Sequence, residues 1–422
     1  MSGKRDFLAL ALAQTFSISG TRLAFVAIPW LVLMLTGDAV MTGLVVFAEM
    51  APYVLAKALG GPLIDRIGGR RVSIAADLGA VAAVGLIPLL AHFGLLGVPV
   101  LIPVVALLGA LRGPADAAKY ALVPLVASRA EVPLERVTGI AGTIERLAST
   151  LGAAMAGLLV ALVGPAPALI FNALTFAASA AIVATGIAPT RSEPATAIRS
   201  SYGHELSEGF DYLRRDAVLV GIAGMIAMTN LLDQAWAAVL VPVWTQANGH
   251  GAEILGLLFA TMSGFSVLGA MLATLLGEKL PRLTVYACAF FIVGFPRFAI
   301  FAFELPLAAM LATLAVAGFA SGFLNPIISA IIFERIPEPL VGRVSSLVTA
   351  SAWALMPFGG IVGGVLIAGL GLQSAMLIGG AAYFTVALLP LGRKSFREFA
   401  RRDAPVLARE NIGKDNIGNG IG

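Results

Sequence analysis

The sequence is poor in the residues that do chemistry in water. It holds one cysteine, Cys288, and three histidines, and only 12% of its 422 residues are charged. A lone cysteine inside an apolar segment excludes a disulfide framework and a thiolate metal cluster. His92, His204 and His250 fall in three separate connections, without metal-ligand spacing or a Ser or Cys nucleophile constellation. No Gly-x-x-x-x-Gly-Lys loop is present, so direct drive by ATP is not expected. What fills the chain is hydrocarbon. Apolar side chains make up 59% of it and the mean hydropathy is +0.92, far too high for a soluble fold of this length. The expected fold class is an all-α membrane protein with lipid as its main solvent and no cofactor.

Apolar stretches near 7–35, 40–61, 72–92, 97–127, 137–163, 168–188, 218–246, 254–277, 283–303, 306–333, 344–368 and 373–391 give twelve transmembrane helices, each near the ~20 residues that cross a bilayer core. The first runs from Lys4 and Arg5 to about Leu35 without a small-residue cleavage site, so a span is expected there rather than a signal peptide. All but six of the 28 Lys and Arg lie at the ends and in alternate connections, while the opposite connections hold none. The positive-inside rule then places both termini in the cytoplasm of a multi-pass cell (inner) membrane protein. It also explains the basic pI of 9.4 without nucleic acid as a partner.

The longest interruption, 189–217, divides the spans six and six. The expected organisation is a first bundle at 1–188, a linker at 189–217, a second bundle at 218–391 and a cytoplasmic tail at 392–422. Within the linker Tyr202, Leu206, Phe210 and Leu213 recur at helical spacing opposite Glu205, Glu208, Asp211 and Arg215. That pattern suits an amphipathic helix on the inner leaflet or a solvated helix packed on the bundle. Shifting the chain by 213 residues sets Pro29 on Pro242, Gly43-Leu44 on Gly256-Leu257 and Asp65-Arg66 on Glu278-Lys279. Parallel repeats of this kind place a binding site at mid-membrane between two halves.

Between the second and third spans stands Gly61-Pro62-Leu63-Ile64-Asp65-Arg66-Ile67-Gly68-Gly69-Arg70-Arg71. It resembles the signature loop of the major facilitator superfamily. The physical sense is a tight turn at Gly68-Gly69, close helix approach at Gly61, and an Asp65 that meets basic groups in one conformation only. Gly61, Asp65, Arg66, Gly68, Arg70, Arg71 and the nearby Asp77 are thus expected to form a conformational clamp. The second-half copy, Gly277-Glu278-Lys279-Leu280-Pro281-Arg282, is degenerate. Ala27-Ile28-Pro29-Trp30, Thr36-Gly37-Asp38-Ala39 and Glu208-Gly209-Phe210-Asp211-Tyr212-Leu213-Arg214-Arg215 are similar to the branch of macrolide, drug and siderophore exporters. The resemblance implies efflux of an amphiphilic small molecule driven by proton entry, by a protein that is not an enzyme. It departs from the family pattern in span four, where Arg112-Gly113-Pro114-Ala115-Asp116 keeps only the arginine, and in span five, where alanine replaces the antiporter proline. The glycine-rich Pro357-Phe358-Gly359-Gly360-Ile361-Val362-Gly363-Gly364 in span eleven serves close packing or bending.

An unpaired charge near a bilayer centre costs at least about 2.5 kcal/mol, yet eleven lie in or at the edges of spans. Lys57, Asp77, Lys119, Glu145 and Arg146 are close to the cytoplasmic side and read as an inner salt-bridge network. Arg22, Glu49, Arg112, Asp116 and Asp233 are the candidates for cavity and proton-coupling charges, with Arg297 left unassigned. Arg22 and Asp233 occupy nearly equivalent places in spans one and seven and are expected to pair across the halves. Asp116, one turn beyond Arg112, is expected to be held ionised by it. Glu49 and Asp233 are the best candidates for the proton carrier. Phe16, Trp30, Phe47, Trp236 and Trp353, with Asn230, Gln234 and Asn325, are candidate substrate-lining residues; Trp244 shares the aromatic reading. The expected partners are a small-molecule substrate, protons and the bilayer, bound by a monomer. An uptake symporter for a nutrient is the alternative, and an integral membrane enzyme or lipid-handling protein a more distant one.

Overall fold

A computed structural model describes residues 2–189, 202–276, 281–337 and 340–388. Eleven helices in it are long and apolar enough to cross a membrane: Gly3–Thr36, Ala39–Leu59, Gly69–His92, Val98–Ala130, Ile140–Val163, Pro165–Gly186, Ala217–Ala247, Ala252–Leu276, Thr284–Ala302, Leu307–Ile332 and Val344–Leu370. A twelfth apolar helix, Leu372–Leu388, has 17 residues, at the lower limit of about 17 for spanning. These are spans 1 to 12. The twelve-span reading therefore holds, and no strand occurs among the described residues. The expected tail, most of the first part of the linker, and Gly277 to Leu280 of the second-half loop lie outside the described residues.

Start signals are local. Asp38 accepts hydrogen bonds from the amides of Val40 at 2.7 Å and Met41 at 3.3 Å and so caps span 2. Asp216 does the same for span 7, from Val218 at 2.9 Å and Leu219 at 3.1 Å. Spans 5 and 6, and likewise spans 11 and 12, are joined by one glycine with positive φ, Gly164 at 86° and Gly371 at 80°, a conformation that side chains with a Cβ resist. Span 7 contains a π-turn at Trp236–Leu240, and span 11 is interrupted between Ala354 and Phe358. Such irregular turns inside a span are tolerated where neighbouring helices cover the freed backbone.

Spans 1 to 6 pack mainly on one another, as do spans 7 to 12. Each group is strapped on the side that bears the N-terminus. Asp6, buried at the start of span 1, accepts from Arg129 at the end of span 4 at 2.9 Å. At the equivalent places of the second group, Asp216 before span 7 accepts from Arg335 after span 10 at 2.8 Å. Arg70 adds bonds to the carbonyls of Ile187 and Ala184 at 2.8 and 2.5 Å. The linker helix, Tyr202–Arg215, is docked by Leu213, buried among Leu219, Ile336, Val344 and Val348, and by Tyr212, whose hydroxyl donates to the Arg335 carbonyl at 2.5 Å. Burial, with the Asp216 carboxylate nearby, holds that phenol above its ordinary pKa. Its described part is thus docked on the bundle through Leu213 and Tyr212, with Phe210 left exposed; the side chains of Tyr202 and Leu206 lie outside the described residues.

The two groups meet along two seams, span 2 against span 11 and span 5 against span 8. On the side away from the termini the contact is backbone to backbone. Gly157 lies against Gly256, Gly43 against Gly360, and Gly364 against Ala39 and Val40, so that a Cβ at any of them meets main-chain atoms closer than real contacts allow. Gln246 of span 7 also donates to the Leu33 carbonyl of span 1 at 3.4 Å. Toward the terminal side the seam of spans 2 and 11 is held by rings, Phe47 on Phe358 and then Tyr53 on Trp353, with centroids 5.3 and 6.1 Å apart. The halves are thus closed backbone to backbone on the far side, while on the terminal side this seam is made by rings. Of the two readings of the span 11 glycines, close packing holds at Gly360 and Gly364, and the interruption just before them supplies the bend.

Gly157→Val should prevent this closure. In a Cys288→Ser background, maleimide labelling of Gln246→Cys from the far side is expected to rise several-fold; unchanged labelling would rule out Gly157 as part of the seal.

Candidate functional site

The buried charges of the first half form one connected network. Asp77 of span 3 is fully buried and takes two cations from span 4, Arg112 at 3.1 Å and Lys119 at 2.7 Å. Its second oxygen accepts from Ser179 of span 6 at 2.7 Å. Lys119 also donates to Ser17 and Arg112 to Thr21, both of span 1, at 3.1 and 2.9 Å, and the Arg112 guanidinium lies over the Phe176 ring. Arg112 then reaches Asp116, one helical turn on, at 2.5 Å, so the pairing read from the sequence is present. Asp116 accepts in turn from the Tyr53 hydroxyl at 3.1 Å, and that hydroxyl accepts from Lys57 at 3.3 Å. Spans 1, 2, 3, 4 and 6 all contribute, because buried charges are tolerated only when paired and hydrogen-bonded.

This arrangement corrects the expected grouping. Asp77 pairs with Lys119 as the inner salt-bridge reading expects, but it makes no contact with Asp65, and the network extends to Arg112 and Asp116 and, through Tyr53, to Lys57 rather than forming a separate shallow set. Asp65 and Arg66 are exposed and have no ion-pair partner among the described residues, while Arg71 is exposed as well. The turn at Gly68 is present, with φ at 92°. Close approach is not at Gly61, which faces open space, but at Gly69, where a Cβ would stand 3.0 Å from the Ala118 carbonyl oxygen. Gly109 and Gly113 of span 4 do the same for span 2, lying on the backbone at Glu49 and at Tyr53 to Lys57.

The expected pair between Arg22 and Asp233 is not made. Arg22 donates to Ser149 of span 5 at 3.1 Å, beside the backbone of Gly152. Asp233 pairs within its own half with Arg297 of span 9. The reason lies in span 9: Arg297 is buried and needs a carboxylate, and among the described residues the acid in contact with it is Asp233. Its guanidinium is packed against the rings of Trp236, Phe298 and Tyr383, 4.7 to 5.1 Å from their centres. The Asp233 side chain is 41% exposed although it lies inside a span, whereas that of Arg297 is 3% exposed, so the acid is the open side of the pair. Glu49 is half-buried; no hydrogen-bond or ion-pair partner is found for it among the described residues, and Arg112 is the cation whose field reaches it.

The candidate lining residues separate. Trp30 is buried in the core, and Trp236 is buried against Arg297 and Phe259, so both pack rather than line. Gln234 is buried with its amide nitrogen unpartnered among the described residues, and Asn230 donates to the Ala352 carbonyl at 2.9 Å. Phe47 and Trp353 sit on the seam between the halves. Phe16 is exposed on the same face as Leu8 and Leu12, and Asn325 is exposed in span 10. Sequence reasoning missed Tyr53 and Arg297 as site residues. The signal for Tyr53 was its place one turn before Lys57; nothing in the spacing marked Tyr383. Among the described residues no cluster of His, Cys, Asp or Glu suits a metal ion.

Two groups of six helices that meet in glycine seams, each holding buried ion pairs within its own spans, are the architecture of a membrane carrier of small solutes. The chain belongs to the Major Facilitator Superfamily, whose model matches residues 10–234 and again 223–411. It is 31% identical over 382 residues to the multidrug efflux pump Tap of Mycobacterium tuberculosis, covering 89% of this chain and 90% of the relative. It is 21% identical to macrolide efflux protein A of Streptococcus pyogenes, over 92% and 95% of the two chains. Among solved structures it is similar to the nucleoside transporter NupG, with a TM-score of 0.68, 15% identity and coverage of 93% and 98%. It is also similar to a D-xylose-proton symporter, with a TM-score of 0.69, 15% identity and coverage of 94% and 98%. At those identities the structures speak for the fold alone.

Removing the shared acid leaves two buried cations without a counter-charge. Asp77→Asn is expected to destabilise the protein by about 3–5 kcal/mol, read as a lower unfolding midpoint in an SDS titration, and Lys119→Met in the same chain to restore part of the loss. An unshifted midpoint in the single variant would show that the triad is not structural.

Proposed function

We propose that the protein exports hydrophobic or amphiphilic small molecules from the cell in exchange for entering protons, by alternating access between its two halves, in the cell membrane as a monomer with both termini in the cytoplasm. The division at 189–217 is the boundary between the halves in this reading. The observation that carries it is the Asp233–Arg297 pair, in which a half-exposed carboxylate holds a fully buried guanidinium. A proton or a cationic cargo reaching Asp233 opens the pair and leaves Arg297 to its ring partners, so that occupancy is coupled to packing between spans 7 and 9. Glu49, unpartnered among the described residues and facing the field of Arg112, is the second proton candidate. The efflux direction is supported by relatives named as a multidrug efflux pump and a macrolide efflux protein; the basic residues concentrated on the side of the termini support the cytoplasmic placement of that side. The likeness to a proton symporter for D-xylose is one of fold, so export is preferred to uptake.

In proteoliposomes loaded with a pH-sensitive dye, macrolides and other amphiphilic antibiotics are expected to elicit proton movement, and Asp233→Asn to reduce it by at least tenfold with the protein still folded. Glu49→Gln tests the second candidate in the same assay. Proton movement by neither cargo nor variant would remove antiport, and full activity of Asp233→Asn would remove Asp233 from the coupling path.

A further inference from the structure

Lys57 is compensated differently from the deep cations that are paired with acids. Arg112, Lys119 and Arg297 each lie against a carboxylate, whereas the Lys57 ammonium has one hydrogen bond, to the Tyr53 hydroxyl at 3.3 Å. It stands 4.1 Å from the centre of the Trp353 ring and 5.4 Å from that of Tyr53, and the two rings are stacked with an interplanar angle of 25°. Asp116 is one hydrogen bond further on through the same hydroxyl, at 3.1 Å, and its side chain is 25% exposed. The exposed carboxylate of Glu145 on span 5 also acts on the ammonium, and Arg112 opposes both acids. Two of the three ammonium protons therefore have no acceptor among the described residues. What surrounds the charge is aromatic face and diffuse negative field, an environment that selects for charge and not for hydrogen-bond geometry.

We propose that Tyr53, Trp353 and Asp116 form a cation cage near the terminal-side end of span 2, and that Lys57 is its resident occupant, displaced when a cargo bearing a quaternary ammonium or phosphonium group arrives. The proposal deepens the export reading and rests on it for the word cargo, but the cage itself is testable by binding alone. Trp353 belongs to the second half and the other three residues to the first, so the exchange of one cation for another alters a contact that ties the halves together. A tethered lysine keeps the rings apart from lipid and the seam intact while no cargo is present. A bulkier cation in its place spreads the seam. Lys57 sets a threshold: a cargo must outcompete an ammonium held at high effective concentration by its own helix.

Calorimetric titration of the purified full chain in detergent, with tetraphenylphosphonium as the probe and neutral triphenylphosphine oxide as its control, tests this. Lys57→Met is expected to bind tetraphenylphosphonium about tenfold more tightly than the wild type and the neutral probe no better, Lys57→Arg to bind as the wild type, and Lys57→Met with Trp353→Leu to lose the gain. An unchanged or weaker affinity in Lys57→Met overturns the proposal, and so does an equal gain for both probes, which would mean only that apolar space was opened. Should Lys57→Met fail to fold, Trp353→Leu alone is expected to weaken tetraphenylphosphonium binding at least fivefold, and unchanged binding overturns the cage. If Lys57→Met gains affinity while vesicles of the wild type export nothing, the cage stands and the export reading falls; export without the gain gives the converse.

Discussion

The structure is organised around one constraint: a charge placed in hydrocarbon has to be answered by a neighbour on another helix. Asp77 meets it most fully, by accepting from Arg112, Lys119 and Ser179 at once. Because those partners come from spans 4 and 6, with Ser17 and Thr21 of span 1 at the next remove, the bonds fix the rotation of four helices that apolar packing alone leaves adjustable. Close packing of spans 2 and 4 over Gly109 and Gly113 then brings Tyr53 within reach of Asp116. The chain of bonds from Asp77 to Lys57 thus runs from a sealed core to the boundary between the halves.

The second half solves the same problem with a single pair. Arg297 is enclosed by Trp236, Phe298 and Tyr383, which accept its charge on their faces but cannot neutralise it, and Asp233 supplies the neutralisation from a position that remains accessible. In the first half protonation of one acid leaves Arg112 with another; in the second it leaves Arg297 with none among the described residues. The half with fewer carboxylates is therefore the one whose packing responds more sharply to a proton.

Much of this is legible in the amino-acid sequence. Twelve apolar runs, the basic bias of alternate connections and the loop from Gly61 to Arg71 specify the fold, because the length of a span and the cost of a bare charge in lipid are properties of composition. The pairing of Arg112 with Asp116 was legible because it is local, one turn along one helix. Partnerships between helices were not: helical rotation decides whether Asp233 faces Arg22 or Arg297, and nothing in spacing along the chain encodes it. The same holds for Gly61 and Gly69, both plausible sites of close approach, of which only the second touches a neighbour. Tyr53 escaped notice because a tyrosine in a span reads as packing until an acid and a lysine are found on either side of its hydroxyl.

The straps on the terminal side carry a different lesson. Asp6 with Arg129 and Asp216 with Arg335 stand at matching corners of the two halves, whereas the deep charges do not match: carried across by the 213-residue shift, Asp77 falls on Phe290, Arg112 on Asn325, Arg297 on Val84 and Asp233 on Gly20. What the halves share is the strap that holds each of them together. What they do not share is the chemistry inside, so the molecule is symmetric in its frame and asymmetric in its charges, and the two halves turn unlike walls toward whatever lies between them.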